Sequence, residues 1–245
     1  KMETTSLIAV SKQAVIRRSM SVIANNLANM NTTGYKGEKM MFVEHVVRSA
    51  GGTKIGGDKL AFVRDIATAR DVSEGAFKKT GNPLDLAIHG DGFFVIGAPG
   101  GERYTRNGNF QIGSDGQLVT RNGDPVLSDN GAPFFLSPGD AHINIDSSGT
   151  LSTENGELGK IAIVSFANRR DMRLIAEGLY SSRQQATPVE EVNVAQGMLE
   201  GSNVQPIVEM TRMIEVHRAY EGTKSFIQKE EERLKNMIKE YSRVG

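Results

Sequence analysis

The sequence predicts an α+β protein in which long amino- and carboxyl-terminal helices pair as an antiparallel coiled coil around an inserted antiparallel β-rich domain. Three observations predict it. Apolar residues recur at helical spacing near the start of the chain, a longer seam of the same kind closes it, and glycine, proline and Asx-Gly pairs crowd the middle. Residues 51–160 hold 20 of the 27 glycines and 5 of the 7 prolines, whereas nine of the ten methionines lie in residues 1–50 or 196–245. Methionine is flexible and polarizable, so the ends read as surfaces that must fit several neighbours.

In the first segment Ile16, Met20, Ile23, Leu27 and Met30 follow at spacings of 4, 3, 4 and 3, one apolar stripe of an α-helix. The stop is expected near Thr32-Thr33-Gly34. The last segment carries Met213, Val216, Tyr220, Thr223, Ile227, Glu230, Leu234, Met237 and Tyr241, alternating 3 and 4 throughout, which is a coiled-coil heptad. Pro206 suits the first turn of that helix with Gln205 as its cap, and a helix from there to about Ser242 is on the order of 55 Å long.

Between them, Asx-Gly pairs at Asp91, Asn107, Asp115, Asn122, Asn130 and Asn155 mark turns between short strands, since both central positions tolerate positive φ. The expected strands are 86–89, 92–96, 103–105, 109–112, 117–120, 143–146 and 160–166. The chain then divides into an amino-terminal helix (1–35), an extended connecting segment (36–80), the β-rich domain (81–179), a return connection (180–201) and the carboxyl-terminal helix (202–245).

Composition excludes several function classes. Lys+Arg and Asp+Glu are 29 each, so the net charge is zero and nothing in bulk draws the chain to nucleic acid or an anionic membrane. The distribution is uneven, at +4 for residues 1–50, −5 for 51–200 and +1 for the rest. Without cysteine there is no disulfide, thiolate nucleophile or cysteine-ligated metal. The early apolar run Leu7-Ile8-Ala9-Val10 is shorter than a signal-peptide core, and no stretch approaches a membrane span. Export without a cleaved signal is the expectation if the chain leaves the cytoplasm.

The candidate chemical sites are thin. His45, His89, His142 and His217 are scattered with no i,i+4 pair, so no metal is expected. Asp146-Ser147-Ser148-Gly149 reads as a β-turn rather than a calcium loop, because the glycine is misplaced and the closing glutamate is missing. Gly90-Asp91-Gly92-Phe93-Phe94 leads into a strand, not a helix, and reads as a tight turn feeding an aromatic core strand rather than a nucleotide fingerprint. Asp85, Asp91 and Glu102 are the carboxylates that a cell-wall glycoside hydrolase would use, which is the alternative from another function class. Absence of tryptophan and of a nucleophile-elbow serine favours no enzyme and no cofactor.

The stretch Ala24-Asn25-Asn26-Leu27-Ala28-Asn29-Met30-Asn31-Thr32-Thr33-Gly34-Tyr35-Lys36 resembles the amino-terminal signature of bacterial flagellar rod and hook proteins. Its carboxyl-terminal counterpart is Leu199-Glu200-Gly201-Ser202-Asn203-Val204, followed by Glu209-Met210, Met213-Ile214 and Arg218-Ala219-Tyr220-Glu221. Residues 85–94 and Tyr104-Thr105-Arg106-Asn107-Gly108-Asn109-Phe110 are similar to the opening of the β domain in the rod proteins, so the resemblance spans essentially the whole chain. The roughly 50-residue separation of Tyr35 from Leu86 is shorter than in distal rod proteins, and with 81–85 and the start 2–7 it looks more like the proximal ones. Gln205 departs from the Asp or Asn common before the last helix and is a weaker cap.

What the resemblance implies is a structural subunit of the flagellar drive shaft, exported by the flagellar type III apparatus and assembled helically in the periplasm, needed for motility. Its partners would be further copies of itself, other proximal rod subunits below and the distal rod protein above, with peptidoglycan close by and no nucleic acid or membrane insertion. The terminal helices would form an inner tube. The residues marked for subunit contact and assembly are Ile16, Met20, Ile23, Asn25, Asn26, Leu27, Asn29, Gly34, Tyr35, Ser202, Asn203, Met210, Met213, Ile214, Arg218, Tyr220, Ile227 and Leu234. Asn25, Asn26 and Asn29 read either as buried polar pins that fix register or as part of a helix-end cap.

Overall fold

The computed structural model describes residues 2–48, 59–137, 139–140, 142–176 and 178–244. The side chains of His45 and Tyr241 lie outside the described residues, as does part of the expected 36–80 connection. The chain folds as two compact units. One holds residues 2–28, 38–69 and 205–244; the other holds 29–37 and 70–204.

The first unit contains helix α1 (Met2–Ala28), strands β1 (Glu38–Arg48) and β2 (Lys59–Arg70), and helix α2 (Pro206–Val244). The class is therefore α+β, with a helix at each end of a β-rich middle. No glycine or proline interrupts α1, and its ordered turn ends at Ala28, short of the expected Thr32-Thr33-Gly34 stop. Asn29 causes the difference. Its carbonyl accepts the Thr32 N–H at 3.1 Å and its Oδ1 accepts the Thr32 hydroxyl at 3.1 Å, so side chains that compete with the helical ladder close the helix one turn early. Gly34 then takes φ 68°, which a side chain rarely adopts.

Helix α2 spans 39 residues, about 58 Å at 1.5 Å per residue. Pro206 opens it, and the first helical bond runs from the Glu209 N–H to the Gln205 carbonyl at 3.1 Å. Gln205 thus serves through its backbone; its side chain makes no hydrogen bond among the described residues. The members of the expected seam from Met213 to Met237 are half-buried apart from Thr223, which is buried.

The second unit contains β3 (Phe77–Lys79), β4 (Leu86–His89), β5 (Phe93–Ala98), β6 (Gly101–Thr105), β7 (Phe110–Ile112), β8 (Leu118–Thr120), β9 (Asn144–Ile145), β10 (Thr150–Thr153), β11 (Gly156–Lys160), β12 (Ile163–Ser165), β13 (Arg173–Ala176), β14 (Leu179–Ser181), β15 (Thr187–Pro188), β16 (Asn193–Gln196) and β17 (Met198–Glu200). A six-stranded sheet of order β13-β14-β6-β5-β12-β15 forms its centre. Along β5 alternate side chains face opposite ways. Phe94 and Ile96 enter a cluster with Leu86, Phe110, Leu118, Val126 and Ile161, while Phe93 and Val95 join Tyr104, Phe166, Met172 and Tyr180. Gly90 to Phe94 is thus a turn feeding an aromatic core strand.

The segments read as connections also carry strands: β1 to β3 fall within 36–80 and most of β14 to β17 within 180–201. Strand β17 pairs antiparallel with β3, and β16 with β4. Strands β3, β16 and β17 are three or four residues long, too short for period-two alternation to mark them.

Of the six Asx-Gly pairs, the glycines at 116, 123, 131 and 156 take positive φ, as a tight turn requires. Gly92 and Gly108 do not; they are glycines because of close approach. A Cβ on Gly108 would lie 1.9 Å from the Leu86 carbonyl oxygen, in backbone that cannot step aside. Gly108→Ala is expected to lower stability by at least about 2 kcal/mol, measured by thermal or urea unfolding.

The turn at Asp146 closes on its own carboxylate, whose Oδ1 accepts the Ser148 hydroxyl and the backbone N–H groups of Ser148 and Thr150 at 2.6–2.9 Å. The Ser148 hydrogen bond, followed by that of Thr150, holds the Asp146 carboxyl below its ordinary value of 3.8. A depressed native value contributes stability that is present above the unfolded value and lost as pH falls through the native one. Asp146→Asn should therefore flatten the acid limb of the stability profile below the ordinary carboxylate range and leave its slope near neutrality unchanged.

Candidate assembly surface

In the first unit, one polar side chain ties three elements together. Asn26 is 2% exposed. Its Oδ1 accepts the Glu38 N–H at 2.9 Å and its Nδ2 donates to the Glu38 carbonyl at 2.8 Å, so the amide meets the first residue of β1 as a neighbouring strand would. Nδ2 also reaches Glu209 Oε2 in the first turn of α2 at 3.2 Å. Glu209 is buried too, and its other oxygen accepts from Arg212 at 2.8 Å. The apolar seam continues from this node: Ala9, Ile16 and Ile23 are buried, and Met20 and Leu27 half-buried. Ser19, Val22 and Ile23 line a pocket with Arg212, Glu215 and Val216, while Ile8, Ala9 and Lys12 line an open groove of about 490 Å³ with Ala219, Gly222, Thr223 and Phe226.

The remaining residues of the two helices divide by exposure. Met213, Tyr220, Ile227 and Leu234 are half-buried on the seam. Met210 and Ile214 lie off it, with Ile214 55% and the adjoining Ile207 80% exposed. Residues 207, 210 and 214 fall on one helical stripe, so α2 carries a second apolar face over its first two turns. Asn25 and Arg218 are exposed.

The second unit holds Asn29, Gly34, Tyr35, Ser202 and Asn203, together with a buried ion cluster. Glu200 is 0% exposed. One carboxylate oxygen accepts from Lys36 Nζ at 2.5 Å and from the Gly75 N–H at 2.9 Å; the other accepts from Arg106 Nε at 2.8 Å. Arg106 also donates to the carbonyls of Ile88, Gly90 and Gly92, and Lys36 to that of Ser73. Burial pushes the Lys36 ammonium below its ordinary value of 10.5, against the pull of the Glu200 charge. Beside the cluster, Asn203 Oδ1 accepts the Gly37 N–H, and its Nδ2 donates to the Asp71 and Ser73 carbonyls. Tyr35 is buried, and Gly34 rests against the backbone of Arg106 and Asn107, where a Cβ would stand 2.6 Å from backbone atoms. Ser202 accepts the Val204 N–H.

The three carboxylates of the hydrolase alternative go to separate partners: Asp85 to Asn109 at 2.6 Å, Asp91 to Arg169, and Glu102 to the Tyr104 hydroxyl at 3.4 Å. The His89 ring packs at a tilt against Phe77, His142 lies 4.0 Å from Glu154, and His217 is exposed. Among the described residues no group of three or more His, Asp or Glu gathers as a metal would require, and no helix is long and apolar enough to cross a membrane.

Comparison with known proteins assigns the fold's three parts to one lineage. Residues 8–36 match the family described as Flagella basal body rod protein, 87–163 the Flagellar hook protein FlgE/F/G D1 domain, and 195–240 the Flagellar basal body rod FlgEFG protein C-terminal. The chain is 35% identical over 246 residues, covering 100% of both sequences, to the flagellar basal-body rod protein FlgF of Caulobacter vibrioides. The chain belongs to the flagellar basal-body rod protein family. Within that family it also matches the FlgF of Mesorhizobium japonicum at 34% identity over 91% of each chain, and the FlgG of Bacillus subtilis at 32% over 94% of this chain and 96% of that one.

Three of the stretches that carried the rod-family resemblance, 24–36, 104–110 and 199–204, each contribute one charge to the buried cluster: Lys36, Arg106 and Glu200. Sequence reasoning quoted all three and assigned none of them a role, because a salt bridge across 164 residues leaves no local period. Glu209 was likewise quoted without a function. Removing the anion strands two buried cations, whereas removing one cation leaves Glu200 with Arg106 and Gly75. Glu200→Gln should lower stability by about 3–5 kcal/mol and Lys36→Met by under about 2 kcal/mol, read by chemical unfolding of the β-rich unit.

Proposed function

We propose that this rod-family protein is a structural, non-enzymatic subunit of the flagellar rod, polymerising helically in the periplasm and carrying torque from motor to hook. The proximal reading rests on the full-length likeness to FlgF proteins; a distal subunit is the in-family alternative. Export proceeds through the flagellar type III apparatus without a cleaved signal. Other proximal subunits lie below, the distal rod protein above, and peptidoglycan nearby. In this arrangement α1 and α2 run antiparallel as a coiled coil forming the inner tube. The antiparallel sense is supported by Asn26, late in α1, meeting Glu209 at the start of α2, while Ala9, early in α1, shares a groove with Thr223.

The observation that carries the reading, beyond family membership, is the apolar stripe Ile207, Met210 and Ile214 on α2, left exposed beside a half-buried seam. An uncovered apolar stripe on a helix is an association surface, and repeated without closure such a contact builds a filament. Ile16, Met20, Ile23, Leu27, Met213, Ile227 and Leu234 hold the pair together; Met210, Ile214, Arg218 and Tyr220 meet the next subunit; Gly34, Tyr35, Ser202 and Asn203 fix the chain where it enters and leaves the helices. Of the asparagines, Asn26 acts as the register pin, Asn29 closes the helix end, and Asn25 faces the neighbour.

Two experiments test this. Ile214→Asp, introduced into a strain whose own copy is deleted, should abolish swimming and rod completion while the purified monomer unfolds as the parent does; normal swimming would overturn the stripe's role. Asn26→Ala leaves both polar groups of the Glu38 backbone and one oxygen of Glu209 without that partner, a loss of about 2–3 kcal/mol. It should impair assembly; unchanged stability and motility would remove the pin.

A further inference from the structure

Four Asn-Gly pairs occur in the β-rich unit, at Asn107, Asn122, Asn130 and Asn155. Such pairs share a reaction that needs no enzyme. The glycine nitrogen, once deprotonated, attacks the asparagine Cγ; the bond from Cγ to Nδ2 breaks, ammonia leaves and a five-membered succinimide forms. Water then opens either imide carbonyl to give aspartate or isoaspartate. The reaction requires the side-chain amide to swing over the following backbone nitrogen. Whatever anchors the amide slows it.

The structure separates the four pairs by that criterion. Asn107 Oδ1 accepts the Asn109 N–H at 3.1 Å, and Gly108 is wedged against the Leu86 carbonyl. Asn155 Nδ2 donates to Asp140 Oδ1 at 2.6 Å. The other two form a matched pair, Thr120-Arg121-Asn122-Gly123 and Ser128-Asp129-Asn130-Gly131, each closed by a bond from the glycine N–H to the first residue's carbonyl, at 3.0 and 2.8 Å. Their backbones therefore hold the nucleophile alike. In the second, the Ser128 hydroxyl and the Ala132 N–H both donate to Asn130 Oδ1, at 2.6 and 3.0 Å. In the first, the Thr120 hydroxyl accepts from the N–H groups of Asn122 and Asp124 instead, and the exposed Asn122 amide has no hydrogen bond among the described residues. A Cβ on Gly123 would meet nothing within 4 Å, so the turn has room to close into the ring.

We propose that Asn122-Gly123 is the preferred site of spontaneous deamidation in this protein, a modification site at the turn that follows β8. Conversion places a carboxylate two residues from Asp124 on a chain of zero net charge, and the isoaspartyl product lengthens the backbone at the turn. This inference stands whether or not the rod reading holds.

The test is to age the purified, folded full-length chain in mildly alkaline buffer and follow deamidation at all four positions by peptide mapping with mass spectrometry. Asn122 should convert several-fold faster than Asn107, Asn130 and Asn155, and the four rates should converge in denaturant. Equal or faster conversion at Asn130 or Asn155 in the folded chain would overturn the proposal. Asp140→Ala, which releases the Asn155 amide, should raise conversion at Asn155 toward that of Asn122. An unchanged Asn155 rate in that variant would overturn amide anchoring as the cause.

Discussion

The β-rich unit depends on one carboxylate. Glu200 has no exposed surface and faces two buried cations, Lys36 and Arg106, which come from distant parts of the chain. Taking all three from water is costly, and only close geometry with every remaining donor satisfied offsets it. Each charged nitrogen and oxygen of the three has a partner: Arg106 Nη1 and Nη2 reach the carbonyls of Ile88 in β4 and of Gly90 and Gly92 in the turn that follows, Lys36 reaches Ser73, and Gly75 caps the carboxylate. A buried arrangement of this kind adds little net stability over an apolar one, but it penalises every wrong pairing. It fixes where the strands beginning with β3 and ending with β17 must meet, and so where the chain leaves the sheet on both sides.

Asparagine performs a similar task in the helical unit at lower electrostatic cost. The neutral amide of Asn26 supplies a donor and an acceptor to Glu38 and a second donor bond to Glu209. Leu27 at the neighbouring position is only half-buried. A purely apolar seam leaves register free to slip by a turn, whereas a buried amide with partners at one register does not. The stripe of Ile207, Met210 and Ile214 stays exposed beside the half-buried seam.

Legibility in the sequence followed the range of the interaction. The seam from Met213 to Met237 was readable residue by residue because helical periodicity is local, and each of those positions is less exposed than its neighbours. Strands β4 to β8 were readable because Phe93, Phe94 and Phe110 mark an aromatic core and Asp115-Gly116 and Asn122-Gly123 mark turns. Strands β3, β16 and β17 were not, since Phe77-Lys78-Lys79 or Asn193-Val194-Ala195-Gln196 shows no alternation and exists as strand only through its partner. The same limit hid the ion cluster. It also explains Gly108, which pattern alone assigns to a turn and packing assigns to contact with Leu86.

On the rod reading, the β-rich unit is folded by its own interior while the terminal helices gain their full order from neighbouring subunits. Hydrogen exchange by mass spectrometry, on the free monomer and on the assembled rod, tests it most directly. The expected result is slow exchange across residues 86–200 in both states, and exchange across 3–28 and 206–242 that is faster than that of the sheet in the monomer and slows on assembly. Helices as strongly protected in the free monomer as the central β-sheet would contradict it.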